Sequence, residues 1–463
     1  TLVPDDFINP NPIPQAIEQS VRDYEAGTLI AGNCAILDFL TRAKPRFKDQ
    51  SFKLDQASAS THTLDHIIQA IKNLDHSYLT IQGPPGAGKT YTGKHVIAKL
   101  VQAGAMIGIA SNSHKAINNL VLSTAQYCAT KNISADFACT KDTDPALLQH
   151  QVAIVKNADL LNHIQPGCVI GTTAWGFARE DLAEQLDYLF IDEAGQVAVA
   201  NLIAMSRAAK NLVFMGDQMQ LGQPSQGTHP ADSGLSILDY LLRETPTIPE
   251  DMGIFLGTTY RMHSLINQFV SKHIYEGKLV SHPDNDQRII EVPPHYQGPL
   301  NQQAGIVFIP VVHQGNTQAS GEEAAQIQHL AQSLIGRTFH ATKNSTRPID
   351  WQDMLFVAPY NHQVSTLTAA LGDKAKVGSV DKFQGQEAPI VFLSMCASDA
   401  NDSPRGLAFL FDQHRLNVAI SRAQTLVIVV GNPKLGSTSV TSVEQLKLVN
   451  LFNGIMAAGA KKN

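Results

Sequence analysis

Residues 83–90 read GPPGAGKT and fit the pattern G-x-x-x-x-G-K-[ST]. An apolar run predicted as a strand (78–82) precedes them, and a pattern predicted as a helix (90–103) follows. In that setting the glycines let backbone N–H groups turn towards phosphate oxygens, assisted by the helix N-terminus. The alternative is a glycine-rich turn with a chance lysine, which the two flanking elements make improbable. The chain is therefore predicted to hold a nucleotide triphosphate.

The loop supplies most of the predicted nucleotide contacts. Lys89 would reach the β- and γ-phosphates, and the Thr90 hydroxyl would bind Mg²⁺. The residues of this stretch assigned to nucleotide binding are Gly83, Pro85, Gly86, Ala87, Gly88, Lys89, Thr90 and Tyr91.

A second motif, YLFIDEAGQ, begins at Tyr188. Its apolar run ends in Asp192, which would bring a carboxylate to the metal at the C-terminal edge of a parallel sheet. Glu193 would orient and deprotonate the attacking water. An acidic turn after a strand is common on its own, but it is improbable as a coincidence beside a phosphate loop. ATP hydrolysis with Mg²⁺ is therefore predicted.

Composition places the chain among globular proteins of two or three domains. It has 463 residues, of which 43% are hydrophobic and 16% charged. Its apolar runs are too short to span a bilayer, and its five cysteines form no C-x-x-C pair, so a reduced, cytoplasmic setting is expected. A formal charge of −6 neither indicates nor excludes a nucleic-acid partner, since a local groove can be basic.

Short apolar runs bounded by Gly, Asp or Pro are typical of parallel sheets buried on both faces. They predict an α/β fold with two tandem sheets, only the first of which carries a phosphate loop. The predicted strands are 78–82, 105–111, 168–173, 188–192 and 211–217, then 305–311, 353–360, 376–380, 388–395 and 425–432. The predicted organisation is an N-terminal arm and linker (1–63), a first domain (64–245) with a mostly helical insertion at 129–166, and a second domain (246–463).

Further blocks occur in a fixed order, among them GTTAW, GDQMQLGQP, TTYRMHSLINQF, VAPYNHQV, VGSVDKFQGQE and RLNVAISRAQ. With the two motifs above, this order resembles that of superfamily 1 helicases over about residues 64–435. It is most similar to the 5′→3′ class of nonsense-mediated-decay and Okazaki nuclease–helicase type. The stretch from Tyr91 to Leu120 is closest to bacterial fusions with a RecB-like nuclease. The resemblance implies two RecA-like domains, a monomeric motor on single-stranded DNA in preference to RNA, and a nuclease domain upstream.

The resemblance also implies roles at the nucleotide. Arg261 and Arg422 would come from the second domain to the γ-phosphate, although an ion pair with an acid is the alternative for each. Tyr260 would stack on adenine and Glu387 would face the nucleotide. Gln220, after an acidic turn, would hydrogen-bond the γ-phosphate and the water. The adenine-reading position is close to His66, with Gln69 one helical turn on, and the choice between them stays open.

A single strand would cross the loops that follow successive strands of both sheets, held mainly by its backbone. Lys115 also lies near enough to meet a phosphate, while Trp175 could stack on a base but is more often a core residue. His114 and His362 are equally well explained as solvated helix-start residues. The residues assigned to nucleic-acid binding are Ser111, Asn112, Thr172, Thr173, Tyr360, Asn361, Ser379, Val380 and Lys382.

Two other functions use the same motifs. One is an RNA helicase of the same family, and the other is an ATP-gated module that grips a strand or recruits a partner without unwinding. A small-molecule kinase or a GTPase is disfavoured, because no N-K-x-D motif is present and the second sheet would be unexplained.

Overall fold

The computed structural model describes residues 11–54, 64–141, 144–223 and 227–460. The chain divides into two compact units. The first comprises Thr1–Gly83, Gly88–Gln218 and Gly222–Leu256, and the second comprises Pro84–Ala87, Met219–Leu221 and Gly257–Asn463. The boundary predicted after residue 245 is wrong, because the last strand of the first sheet follows it.

The first unit is built on an eight-stranded sheet in its described residues, with every neighbouring pair parallel. The order across the sheet is β4-β3-β5-β2-β6-β7-β1-β8. These strands are β1 (Tyr78–Gln82), β2 (Ile107–Ala110), β3 (Asp136–Thr140), β4 (Val152–Val155), β5 (Cys168–Gly171), β6 (Leu186–Ile191), β7 (Ala209–Gly216) and β8 (Gly253–Phe255). The α-helices of this unit are α1 (Pro12–Glu25), α2 (Ala35–Leu40), α3 (Leu64–Lys72), α4 (Lys89–Gln102), α5 (His114–Thr130), α6 (Ala146–Gln149), α7 (Ala174–Phe177), α8 (Val199–Ser206) and α9 (Ile237–Leu242).

All five strands predicted for the first sheet are confirmed. Strand β1 is buried at every position, and β2 and β5 likewise, which agrees with continuous apolar runs covered by helices on both faces. Because the strands are parallel, the loops after β1, β6 and β7 lie at one edge of the sheet.

Residues 1–10 and 55–63 lie outside the described residues, so the predicted N-terminal arm and linker can be compared only over 11–54. The extended arm is wrong there, because Pro12–Glu25 is helical, whereas the short helical piece that the sequence indicates at Ala35–Leu40 is present as α2. Helix α1 packs through Ala16 against Ala178 and Ala204, and the Phe39 ring of α2 lies 5.3 Å from the ring of Phe214. The Pro-Asn cluster suggested extended chain, but proline is well tolerated in the first turn of a helix, where α1 begins.

The mostly helical insertion predicted at 129–166 is also wrong. Strands β3 and β4 lie in this segment and extend the main sheet in parallel register, with Phe137 opposite Val152. The two strands have five and four residues, and runs that short cannot be distinguished from helix by periodicity.

The second unit holds a five-stranded parallel sheet of order β12-β18-β17-β15-β16 in its described residues, which confirms all five strands predicted there. A small antiparallel sheet, β11-β13-β14, is not indicated by the sequence, because β13 and β14 are largely polar and exposed or partly exposed, and β11 has only two residues. The strands are β9 (Thr258–Thr259), β10 (Val280–Ser281), β11 (Ile289–Ile290), β12 (Gly305–Pro310), β13 (Thr338–Thr342), β14 (Ser345–Pro348), β15 (Met354–Val357), β16 (Lys376–Gly378), β17 (Ala388–Ser394) and β18 (Ala423–Gly431). The α-helices are α10 (Ser264–Ile274), α11 (Gly321–Leu334), α12 (Asn361–Leu371), α13 (Gly406–Leu410), α14 (Gln413–Ser421) and α15 (Val443–Gly459).

No helix in the described ranges has both the length and the apolar character needed to cross a membrane. No disulfide joins any two of the five cysteines, all of which lie in the described part of the chain.

A buried carboxyl group organises the interior of the second unit. Glu323 of α11 lies 2.9 Å from the His313 ring through one oxygen, and both side chains are fully buried. Its other oxygen accepts hydrogen bonds from the Ser394 hydroxyl and the Cys396 N–H, at 2.6 and 2.9 Å. Glu323 therefore ties α11 to the end of β17 and to the loop that follows it.

We expect Glu323→Ala to lower the free energy of unfolding of the second unit by about 3–5 kcal/mol, because the substitution leaves several buried polar groups without their acceptor. Urea denaturation of the full chain, followed by circular dichroism, measures the change. The matched control is Glu322→Ala, one residue away on the exposed side of α11. Equal stability of the two variants would contradict the organising role of Glu323.

Candidate nucleotide-binding site

The phosphate loop lies between the end of β1 and the first residue of α4. Gly86 and Gly88 have φ angles of 73° and 81°, in the left-handed region that side chains disfavour. Lys89 lies over the loop and donates a hydrogen bond of 2.7 Å from Nζ to the Gly83 carbonyl. A Cβ atom on Gly83 would lie 2.3 Å from Cγ of Lys89, so glycine is required there. The ammonium group is thus placed where a phosphate oxygen could replace the carbonyl as acceptor.

Asp192 follows β6 and is only 8% exposed. Burial, together with the charge of neighbouring Glu193, raises the pKa of Asp192 to about 7, while the Lys89 ammonium acts in the opposite direction. The Lys89 ammonium therefore lies near enough to Asp192 to influence its ionisation. Glu193 has a φ angle of 52°, a conformation that is uncommon for a non-glycine residue and costs free energy. Its N–H donates to Oδ1 of Asp192 at 2.9 Å, and its side chain stays partly exposed.

The donor set at this edge of the sheet suits Mg²⁺. This ion is commonly bound by one or two carboxylates together with substrate phosphates. Asp192 offers a carboxylate, and Thr90 offers an exposed hydroxyl in the first turn of α4. A bound cation would favour the ionised form of Asp192, against the effect of burial.

Gln82, the last residue of β1, is a site residue that the sequence reasoning missed. It is fully buried, and its Nε2 donates to Oε1 of Gln218 at 3.0 Å and to the Pro246 carbonyl at 2.9 Å. Its Oε1 accepts from the N–H of Ile248 at 2.7 Å. These bonds hold the start of the phosphate loop against the loop after β7 and against the segment between α9 and β8. The available signal was a glutamine that ends the otherwise apolar run YLTIQ.

In the second unit, Arg261 and Glu387 form an ion pair with each other. The Arg261 Nη1 also donates to the Ser421 carbonyl at 3.2 Å, and Gln424 donates to the other Glu387 oxygen at 2.8 Å. Burial would raise the pKa of Glu387, but the charge and hydrogen bonds of Arg261 together with Gln424 and Arg288 bring it below its usual value. Arg261 therefore forms an ion pair with an acid, which is the alternative to a contact with the γ-phosphate. The acid, Glu387, was itself assigned to the nucleotide.

Arg422 and Gln220 are also brought together, because the second unit includes Met219–Leu221. Arg422 is 3% exposed and donates from Nη2 to Oε1 of Gln220 at 3.5 Å. Tyr260 is 55% exposed, and its ring centroid lies 4.9 Å from that of His282. An exposed ring of this kind is available for stacking.

The two candidates for reading adenine differ in their surroundings. The His66 ring is stacked on Phe52, with centroids 5.6 Å apart and planes 17° apart. Gln69 is exposed on α3. The choice between them stays a prediction.

The residues predicted to bind nucleic acid fall into two groups. Asn112, Asn361 and Lys382 are exposed, and Thr173 and Ser379 are partly exposed. The remaining four are buried, namely Ser111, Thr172, Tyr360 and Val380.

Two of the buried side chains are occupied within the protein, so the prediction of a surface contact from them is wrong. The Thr172 hydroxyl donates to Asn157 at 2.7 Å and accepts from Thr140 at 2.9 Å. The Tyr360 hydroxyl is hydrogen-bonded to Ser403. Polar groups at strand ends are used to fix the following loops, a role that sequence position alone does not separate from ligand binding. Trp175, by contrast, is 37% exposed rather than a core residue.

Two protein-family models match the chain, and both are described as an AAA domain. They cover residues 64–233 and 235–434.

Curated relatives are helicases and a regulator of transcripts. Regulator of nonsense transcripts 1 of Caenorhabditis elegans is 28% identical over 416 residues, covering 80% of this chain and 38% of that protein. DNA replication ATP-dependent helicase/nuclease DNA2 of Gallus gallus is 26% identical, covering 78% of this chain and 35% of that protein. DNA polymerase alpha-associated DNA helicase A of Schizosaccharomyces pombe is 25% identical, covering 76% and 60%. The chain therefore spans between about a third and three fifths of the length of these relatives.

Among solved structures, the nonstructural protein 10 helicase of an arterivirus superposes with a TM-score of 0.40 at 15% identity, over 76% of this chain and 59% of that chain. That similarity is too low to support any argument about this chain. The closer likeness to bacterial RecB-like nuclease fusions has no support from the relatives named here and stays a prediction.

We expect Lys89→Met to reduce ATP turnover by at least about 100-fold, because the substitution removes the charge that would stabilise the transferring phosphoryl group while keeping the length of the side chain. Steady-state hydrolysis assays measure the effect. Lys99→Met, on the exposed side of the same helix, is the matched control and should turn over ATP like the wild type. Normal turnover by Lys89→Met would show that the phosphate loop takes no part in ATP hydrolysis.

Proposed function

The chain belongs to the superfamily 1 helicases, and from this premise we propose that it is an ATP-driven 5′→3′ translocase and helicase on single-stranded DNA. The observation that carries the proposal is the meeting of Lys89, Asp192 and Glu193 at one edge of a parallel sheet. This edge belongs to a chain that aligns with the helicase relatives over more than three quarters of its length.

The proposed roles at the nucleotide follow from the chemistry of each side chain. Lys89 binds the β- and γ-phosphates, and the Thr90 hydroxyl and the Asp192 carboxylate hold Mg²⁺. When bound, that ion neutralises charge on the phosphate oxygens. Glu193 orients the attacking water and accepts its proton, and the Gln220 amide hydrogen-bonds the same water or the γ-phosphate.

Arg261 and Arg422 are proposed to stabilise the charge that develops on the γ-phosphate oxygens. Two observations support a polar role for Arg261. Its guanidinium is paired with Glu387, which is itself assigned to the nucleotide. Arg261 also directly follows Tyr260, whose ring is exposed. Exchange of Glu387 for phosphate as the partner of Arg261 would make its position depend on the nucleotide.

DNA, in preference to RNA, is proposed as the nucleic acid along which the protein moves. Two of the relatives are named for DNA replication or as a DNA helicase. A nuclease domain in the same full-length protein, a monomeric motor and a cytoplasmic location complete the proposal.

The test of the proposal is strand displacement from duplexes that carry a 5′ or a 3′ single-stranded tail, made of DNA or of RNA. We expect ATP-dependent unwinding of the 5′-tailed DNA and ATPase activity that rises with added single strands. Strand-stimulated hydrolysis without unwinding would instead identify an ATP-gated binding module. Hydrolysis indifferent to every nucleic acid would overturn the proposal.

We expect Glu193→Gln to lower the rate of ATP hydrolysis by about 10²–10⁴-fold, because the amide cannot accept the proton of the attacking water. Nucleotide affinity should stay close to that of the wild type, since the isosteric amide leaves Lys89 and the loop in place. Single-turnover hydrolysis and equilibrium binding of a fluorescent ATP analogue separate the two effects.

The matched control is Glu184→Gln. Glu184 is an exposed residue of the same unit with a φ angle of 59°, so it shares the backbone conformation of Glu193 without lying at the phosphate loop. The control should hydrolyse ATP normally. A parallel loss of binding and hydrolysis in Glu193→Gln would contradict its assignment as the base.

A further inference from the structure

Acidic residues are absent from one long interval of the first unit. The chain has 41 Asp and Glu residues, yet none lies between Asp75 and Asp136. Helices α4 and α5 lie in this interval and pack against each other. The lysine ion pairs of the described residues involve Lys44, Lys210 and Lys278, all outside the interval. The lysines of the interval are Lys89, Lys94, Lys99, Lys115 and Lys131.

Aromatic rings and lysines of α4 and α5 form one continuous surface. The ring of His95 lies 4.1 Å from that of Tyr91 and 4.2 Å from that of Tyr127, measured between centroids. The Lys94 ammonium lies 5.6 Å from the Tyr91 ring and 5.9 Å from the Tyr127 ring. Lys131 lies 6.0 Å from the Tyr127 ring. We call these five residues the aromatic–lysine face.

The packing of the protein does not account for this face. Tyr91 is 57% exposed, and Tyr127 packs only partly against the core. The lysines beside the rings have no carboxylate partner in the described residues, so their charge is available to a ligand. Neighbouring aromatic rings with adjacent cations suit a ligand that carries both flat aromatic groups and negative charge. Single-stranded nucleic acid presents both in every repeating unit.

We propose that the aromatic–lysine face binds a segment of single-stranded nucleic acid, in addition to the loops at the edge of the sheet. Lys94 and Lys131 contact phosphates, and a base stacks on the Tyr127 ring, because Tyr91 is itself assigned to the nucleotide. An unpaired strand is favoured over a duplex, because only splayed bases can reach an aromatic ring in this way. This inference rests on the proposed function and names a second contact for the same strand.

The aromatic–lysine face directly adjoins the phosphate loop. Tyr91 directly follows Thr90, in the first turn of α4, and the His95 ring lies 2.7 Å through Nδ1 from the Tyr91 carbonyl. A strand bound there would rest on the helix whose N-terminus forms the phosphate loop. Occupation of the face would therefore restrict the same turn that presents Lys89 and Thr90 to the nucleotide.

The experiment measures the affinity of the full chain for a labelled oligothymidylate by fluorescence anisotropy over a range of salt concentrations. Tyr127→Leu keeps an apolar side chain against the core and removes the ring, and we expect it to weaken binding by about tenfold, as loss of a stacking partner does. In the double variant Lys94→Gln/Lys131→Gln, the slope of log affinity against log salt concentration should become shallower by about 0.7 for each phosphate that is no longer neutralised.

Lys99→Gln is the matched control, since it removes one charge from the same acid-free helix. Its ammonium lies 3.4 Å from Oε1 of Gln102 and is not part of the face. We expect its affinity and its salt dependence to equal those of the wild type. Tyr127→Phe keeps a ring and should bind like the wild type. Thermal unfolding shows whether each variant is folded, and the double lysine variant carries the test if Tyr127→Leu is not.

The outcomes separate this inference from the proposed function. If the wild type binds no strand, the proposed function fails and this inference with it. If the wild type binds but the face variants bind equally well, only this inference is overturned. An equal loss in Lys99→Gln would show that general positive charge, rather than the face, is responsible, and would overturn it too. Variants that bind the strand normally but lose an acidic protein partner would assign the face to that partner instead.

Discussion

The burial of one carboxyl group beside one ammonium group, Asp192 and Lys89, is the interaction on which the candidate site depends. Burial and the charge of Glu193 raise the pKa of Asp192, and the Lys89 ammonium partly offsets this effect. The two groups can approach each other only because β1, β7 and β6 are parallel neighbours, so that the loops after β1 and β6 begin at the same edge. The order of the strands therefore determines which side chains meet at the site.

Polar interior residues hold the loops around this pair. Gln82 fixes the start of the phosphate loop with three hydrogen bonds to the chain around residues 218–248. Glu323 has the same function in the second unit, where it holds the end of β17 and the loop after it. A satisfied buried polar group fixes geometry more strictly than apolar packing does, because leaving any of its partners unsatisfied is costly. Each unit therefore contains a buried polar side chain that holds the loop following a strand of its main sheet.

The ten predicted strands and the nucleotide loop could be read from the sequence, because continuous apolar runs and a glycine-rich turn have few alternative structures. The edge strands β3 and β4 could not, since four or five residues such as VAIV fit a strand or a helix equally well. Helix α1 was obscured by prolines at its start. The pairing of Arg261 with Glu387 and the burial of Thr172 depend on side-chain contacts between distant parts of the chain, which local patterns do not contain.

Net charge is uninformative about a nucleic-acid partner at the level of the whole chain, whereas the distribution of charge is informative at the level of one helix pair. A molecule of formal charge −6 repels a polyanion on average, so it can hold one only where acids are locally missing. Helices α4 and α5 satisfy that condition, and Lys94 and Lys131 lie beside aromatic rings rather than beside carboxylates. A strand on α4 would contact the helix that begins at Lys89, so binding and hydrolysis would share one structural element.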